Sequence, residues 1–195
     1  MSPSRWEGPA RRIAHIAAAV LLAGGVAVIL YPFSTDLRYD AAQWLMRQRA
    51  ASQAVAQDAA GGEPLPAGTV AHLIIPAIDV DAYVVEGTDS QALAQGPGHY
   101  PDTPLPGEGG NCGIAGHRTM YGAVFNRLDQ LQPGDQIIVH TETCSLVYSV
   151  ESIEAVDPSC VEVVAPTEEA RLTLTTCHPE GSARQRLVAA ARLTE

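Results

Sequence analysis

Arg171-Leu172-Thr173-Leu174-Thr175-Thr176-Cys177-His178-Pro179-Glu180-Gly181-Ser182-Ala183-Arg184-Gln185-Arg186-Leu187-Val188-Ala189-Ala190-Ala191-Arg192-Leu193 reads as two strands, Arg171–Thr176 and Arg186–Leu193, joined by a loop. In the first, Leu172 and Leu174 share one face and Thr173, Thr175 and Cys177 the other. In the second, Leu187, Ala189, Ala191 and Leu193 form an apolar face that Arg186 opposes. Cys177 and Arg186 thus fall on the non-core faces, and pairing the strands as a hairpin sets directly opposed positions about 5 Å apart. Cys177 closes the strand pattern, which puts its sulfur at a strand mouth with Arg184 and Arg186 within reach. Cationic neighbours lower a thiol's pKa from about 8.5 and make it reactive. An arginine there can also donate to the oxyanion of a tetrahedral intermediate. Arg184 still belongs to the Gly-containing loop and is free to face solvent; Arg186 is held by the strand that it begins.

The same punctuation runs back to about Gly68. Short runs bounded by Gly, Pro or Asp recur at Ala71–Ile75, Ala82–Glu86, Asn111–Ala115, Asp135–His140, Leu146–Ile153 and Val161–Val164. With the terminal pair they make eight short strands, a mainly β domain of barrel or sandwich type. Tyr121–Leu131 reads as the internal helix, with Phe125, Leu128 and Leu131 at i, i+3, i+6 and Pro133-Gly134 stopping it. Pro97 to Gly110 reads as a long Gly/Pro loop, a length that in a small domain is commonly functional.

Before Gly68 the chain changes character. Ile13 to Leu30 is 18 residues without Asp, Glu, Arg, Gln or Asn; at about 1.5 Å per residue it spans about 27 Å, enough to cross a bilayer core. Arg5, Arg11 and Arg12 precede it and the next basic residue is Arg38, a bias that holds the N-terminus in the cytoplasm. A cleaved signal is the alternative, but the run exceeds the usual ~7–15 residues and Tyr31-Pro32-Phe33 is a poor small-residue cleavage site. The expected order is a cytoplasmic tail over 1–12, a transmembrane helix over 13–31, an extracytoplasmic stalk and linker over 32–67, and the folded domain over 68–195. Within the stalk, Leu37, Ala41, Trp44 and Leu45 lie at helical spacing, and Gly61-Gly62-Glu63-Pro64-Leu65-Pro66 ends it.

Composition excludes whole classes. The 195 residues carry 12 basic and 22 acidic side chains, a formal charge of −10, and every basic residue is arginine. Without lysine there is no Schiff-base chemistry and no P-loop lysine. Nucleic acid is excluded as a partner, because phosphate affinity comes from clustered positive charge. The acidity is concentrated in the exported part: residues 1–67 hold 6 basic and 5 acidic groups, residues 68–195 hold 6 and 17.

Six histidines are candidates for an acid or base. His15 lies in the apolar span, and His72 and His140 lie in or at the ends of strand runs, where they read as structural. His178, next to Cys177, points away from it if the strand continues. His99 and His117 remain, and His117 follows Asn111-Cys112-Gly113-Ile114-Ala115-Gly116 at a strand exit. There the chain resembles a known family. Ala115-Gly116-His117-Arg118-Thr119-Met120-Tyr121-Gly122, followed by Phe125-Asn126-Arg127-Leu128 and Pro133-Gly134-Asp135, looks like the histidine segment of the sortases. Thr173-Leu174-Thr175-Thr176-Cys177 matches their Thr-Leu-x-Thr-Cys signature, and Arg186 falls where their arginine does. Gly96-Pro97-Gly98-His99-Tyr100-Pro101 and Ser182-Ala183-Arg184-Gln185-Arg186-Leu187 are similar to class E sortases in particular.

The resemblance, from about Val70 to the C-terminus, implies an eight-stranded β-barrel with one or two short helices that acts as a membrane-anchored cysteine transpeptidase of a Gram-positive cell. It makes Cys177 the nucleophile, His117 the general acid and base, and Arg186 the residue that binds substrate and the oxyanion. Its partners are surface proteins bearing sorting signals, Leu-Ala-x-Thr-Gly or Leu-Pro-x-Thr-Gly, and a peptidoglycan precursor or other amine acceptor; no cofactor or metal is implied. With Cys177 required free, Cys112, Cys144 and Cys160 can make at most one bridge; Cys144 with Cys160 is the pair to consider, and free thiols are the alternative left open. Three rival readings stand beside it. Cys177 to Arg184 is similar to a cysteine-phosphatase loop but has six intervening residues where that loop needs five, and a strand follows. Cys112, His117, Cys177 and His178 match no common zinc spacing. A non-catalytic membrane-tethered β domain is the third.

Overall fold

The computed structural model describes residues 7–54 and 64–194. Eight strands follow the N-terminal helix: β1 Thr69–Ile75, β2 Val80–Glu86, β3 Gly98–His99, β4 Asn111–Ala115, β5 Gln136–His140, β6 Ser145–Val156, β7 Arg171–His178 and β8 Gln185–Leu193. They close in the order β1-β2-β3-β4-β7-β8-β6-β5, with β5 returning to β1. Closure leaves no open strand edge. The apolar halves of the alternating strands point inward, so Leu73, Ile114, Val139, Tyr148, Leu172 and Leu174 are fully buried in one core.

β7 is the central element for the site. It pairs in parallel with β4, Ala115 opposite Thr175, and antiparallel with β8, Cys177 opposite Arg186. The two faces read from alternation are correct, but the second is covered as well: Thr173 and Thr175 are buried. Their hydroxyls find partners there, Thr173 donating to Asn111 Oδ1 at 2.7 Å and Thr175 bonding Tyr100 Oη at 2.9 Å.

Several expectations are corrected. Val161–Val164 is a half-exposed 3-10 turn; a closed barrel has no edge at which that β-branched run could pair. The eighth strand is instead Gly98–His99, inside the presumed loop, parallel to β2 and antiparallel to β4. Tyr121–Leu131 is not one helix. It forms two 3-10 turns, Tyr121–Ala123 and Leu128–Gln130, because Tyr121, Gly122 and Ala123 all take left-handed φ of 50°, 71° and 45°. The short helix among the described residues is Ser90–Leu93, capped by the Asp89 carboxylate on the amides of Gln91 and Ala92. All four cysteines are free thiols. Cys144 and Cys160 lie beyond opposite ends of the 12-residue β6, tens of ångströms apart at about 3.3 Å per residue, far outside the ~7 Å Cα reach of a disulfide.

Helix α1 runs without a break from Glu7 to Ala54, through Pro32. By length and composition it can cross a membrane, and its large apolar side chains between Ile13 and Leu30 are exposed. Its second half is not a free stalk. Thr35, Gln43, Met46 and Ala50 are buried, the last three beside β2, whereas Leu37, Trp44 and Leu45, the apolar residues at helical spacing, face outward. Polar complementarity decides this. Gln43 accepts from the Tyr83 amide at 2.8 Å and donates to the Tyr83 and Gln95 carbonyls at 3.1 and 2.9 Å, so one side-chain amide satisfies backbone groups beside β2. Arg47 adds a 2.7 Å bond to the Asp81 carbonyl and a 3.2 Å ion pair with its carboxylate. The tail over residues 1–6, and the stalk and linker over 55–63 including Gly61-Gly62-Glu63, lie outside the described residues.

Candidate active site

One mouth of the barrel gathers the three residues read from the sequence. The β7–β8 ladder fixes two of them: Arg186 Nη1 donates to Cys177 Sγ at 2.7 Å, across directly opposed positions. His117 comes from β4. The ladder between β4 and β7 ends at Ala115 and Thr175, and is prolonged by Gly116 N donating to Thr175 O at 3.0 Å and Thr176 Oγ1 donating to Gly116 O at 2.8 Å. His117 thus leaves β4 at the same end of the parallel pair at which Cys177 lies in β7. Gly116 is required at this exit, since a Cβ there would lie 2.5 Å from Phe125 Cδ2.

The imidazole of His117 stacks at a tilt on Tyr121, centroids 5.2 Å apart. Its Nε2 is buried and has no hydrogen-bond partner among the described residues. Burial holds its pKa below the ordinary histidine value, so at neutral pH the ring is uncharged, the form that accepts a proton. Beside it the buried Arg118 is paired with Asp129 at 2.8 Å and donates to His178 Nδ1 at 3.2 Å. β7 continues through His178, which is accordingly engaged with Arg118 and not with the thiol.

The other candidates are occupied elsewhere. His99 is buried with Nδ1 3.0 Å from Glu86 and Nε2 3.1 Å from the Pro104 carbonyl. His72 bonds Asp81 at 2.7 Å and His140 bonds Ser145 at 2.7 Å, on the β1–β5 side. Burial, with Glu108 and Glu86 nearby, pushes the Cys112 thiol up to about 12, and the Glu162 carboxylate raises that of Cys160. The Cys177 loop leads into β8 and not into a helix, so no helix N-terminus faces it as a phosphate grip needs. A groove of about 490 Å³ opens beside Arg186, lined by Tyr100, Asp102, Val161, Val163 and Thr175 among others.

The fold and the mouth together define a closed eight-stranded barrel with a thiol, a guanidinium and an imidazole gathered at one end. Comparison with known proteins names the family. The sortase domain model matches residues 73–194, and the chain belongs to the sortase family, whose members are cysteine transpeptidases. It is 36% identical over 146 residues to sortase SrtE1 of Streptomyces coelicolor, a match that covers 67% of this chain and 42% of the relative. Sortase E of Streptomyces avermitilis superposes with a TM-score of 0.61 at 32% identity, over 65% of this chain and 88% of that one. A sortase D5 transpeptidase of Clostridium perfringens gives a TM-score of 0.64 at 27% identity, over 81% of this chain and 99% of that one. The chain spans about half the length of the curated relatives it matches. The class E likeness read from the sequence agrees with the Streptomyces coelicolor and Streptomyces avermitilis relatives.

Proposed function

We propose that this protein is a membrane-anchored transpeptidase that cuts the Thr–Gly bond of a C-terminal sorting signal and transfers the upstream protein to a cell-wall amine. The observation that carries the reading is the 2.7 Å contact of Arg186 with Cys177 Sγ at the mouth where β4 delivers His117. The Cys177 thiolate attacks the threonine carbonyl carbon, and the electron pair moves onto oxygen. Arg186, held by the ladder before substrate arrives, donates to that oxyanion and costs no reorganisation as charge develops. Collapse breaks the C–N bond; His117, neutral at rest and carrying the proton that it took from the Cys177 thiol as the thiolate formed, gives that proton to the leaving glycine amine, and a thioester remains on Cys177. An acceptor amine then attacks the thioester, neutral His117 takes its proton, and the thiolate leaves.

The likeness to class E members supports Leu-Ala-x-Thr-Gly as the preferred signal. The arginine-flanked apolar half of α1 supports an anchor with the N-terminus cytoplasmic and the barrel outside. The test uses the full chain in detergent micelles with a panel of sorting-signal peptides and a free amine. A mass increase on Cys177 equal to the signal up to threonine, removed by the amine, is expected; absence of any thioacyl adduct across the panel refutes the reading. For topology, protease added to intact protoplasts degrades the barrel, and full protection refutes the outside orientation.

A further inference from the structure

His117 sits at the start of a segment whose backbone adopts conformations that its residues rarely take. Tyr121, Gly122 and Ala123 have φ of 50°, 71° and 45°, and runs of left-handed residues persist only where the surroundings over-determine them. The barrel core does not hold these three, because each is at least partly exposed. Two turn bonds close the segment on itself, Ala123 N to Met120 O and Asn126 N to Ala123 O. Its link to another element is α1. The Gly122 amide donates to Asp36 Oδ1 at 3.1 Å, and the Tyr39 ring lies so close that a Cβ on Gly122 would stand 2.2 Å from Tyr39 Cδ1. Tyr121, next in the chain, presents the ring on which His117 is stacked. Since His117 Nε2 has no hydrogen-bond partner among the described residues, that aromatic contact is the restraint on the imidazole that the structure shows.

We propose that Asp36 and Tyr39 of the juxtamembrane helix are positioning residues for the His117 imidazole, acting through the backbone of residues 121–123. The proposal rests on the transpeptidase reading, in which His117 moves the proton. Neither residue touches the thiol or the groove beside Arg186, so both act on the proton-transfer steps and leave peptide binding alone. A catalytic group displaced by about 1 Å can lose up to about 100-fold in rate.

The test measures kcat and KM for the full chain in detergent micelles, with a sorting-signal peptide and triglycine, alongside the thermal midpoint of the barrel. Asp36→Ala and Tyr39→Ala are expected to lower kcat by about 10- to 100-fold with KM and the thermal midpoint essentially unchanged. Asp36→Asn, which keeps the accepting oxygen, and Tyr39→Phe, which keeps the ring, are expected to restore wild-type kcat. Wild-type kcat in both alanine variants overturns the proposal, as does a loss that tracks a lowered thermal midpoint and is not restored by the conservative pair. Cys177→Ala is run in the same assay. Turnover by that variant sinks the transpeptidase reading itself, whereas an inert Cys177→Ala beside wild-type-like Asp36 and Tyr39 variants overturns only the positioning role.

Discussion

Cys177 and Arg186 stand opposite each other on a continuous hydrogen-bonded ladder, while His117 leaves β4 on a segment of two short turns braced from outside by α1. The ladder's geometry is set by residues nine apart in the chain, and alternation suffices to write it. The histidine segment makes a contact 86 residues away in the chain, between Gly122 and Asp36. One site therefore has a rigid half and a braced half. The thiol–arginine pair is set by the β7–β8 ladder, and His117, the proton carrier in the proposed mechanism, leads into a segment bonded to a second element.

Substitutions probe the two halves separately. Cys177→Ala has the largest expected effect, abolition of the thioacyl adduct in mass spectrometry with the barrel's thermal midpoint kept, because a half-buried thiol at a strand end contributes little packing. His117→Ala follows, with a loss of about 10²–10⁴-fold in turnover, the range for a positioned acid–base group; a mild effect would mean that the braced half is dispensable. Arg186→Ala should cost about 2.7–4 kcal/mol of transition-state stabilisation if one oxyanion donor is lost, and Arg186→Lys should substitute poorly because the planar fork is gone. Arg184→Ala, in the loop before β8, should change acylation rates little. Equal losses at 184 and 186 would overturn the ladder as the source of rigidity.

The smallest effect is on stability against pH. Burial depresses the pKa of His117, so the unfolded chain binds the proton more tightly than the folded one. Stability contributed by the neutral ring is present above the unfolded value of about 6.5 and is lost as pH falls toward the folded value. Chemical denaturation of wild type and His117→Gln between pH 7.5 and 5 should show a shallower decline in the variant; parallel curves would place the ring in water.

Legibility followed the same division. Seven strands were readable to within a few residues because Gly, Pro or Asp bounds the runs, and alternation adds the faces of β7 and β8, at whose ends Cys177 and Arg186 lie. β3 escaped because two residues, Gly98 and His99, have no periodicity to read. Val161–Val164 misled because β-branched alternation promises a strand only where a partner edge is free. The expected helix over 121–131 failed at Tyr121 to Ala123, whose left-handed φ values break it and whose middle residue is bonded to a distant helix. The docking face of α1 is not legible in the helical spacing of Leu37, Trp44 and Leu45, because Gln43 and Arg47 make the contacts through backbone hydrogen bonds and an ion pair. A cue was present in Tyr121, four residues after His117, and in the isolated Gln43 between apolar neighbours.

The unbroken helix α1 also sets an altitude. With residues 13–31 in the bilayer, Asp36 lies five residues beyond, about 8 Å along the axis at 1.5 Å per residue, and the histidine segment is fastened at that level. A post is unlike a tether: a flexible linker would spread the mouth over many heights and dilute its effective concentration at any one of them. On the proposed anchoring, the mouth would work in a thin layer just above the lipid, where a signal followed by its own membrane-embedded tail would arrive without any stretching. Inserting seven residues after Tyr31 would keep the docked face nearly in phase and lift the mouth by about 10 Å. Cleavage of a membrane-embedded substrate in vesicles should then fall while that of a free peptide holds; equal rates on the embedded substrate would show that height is irrelevant.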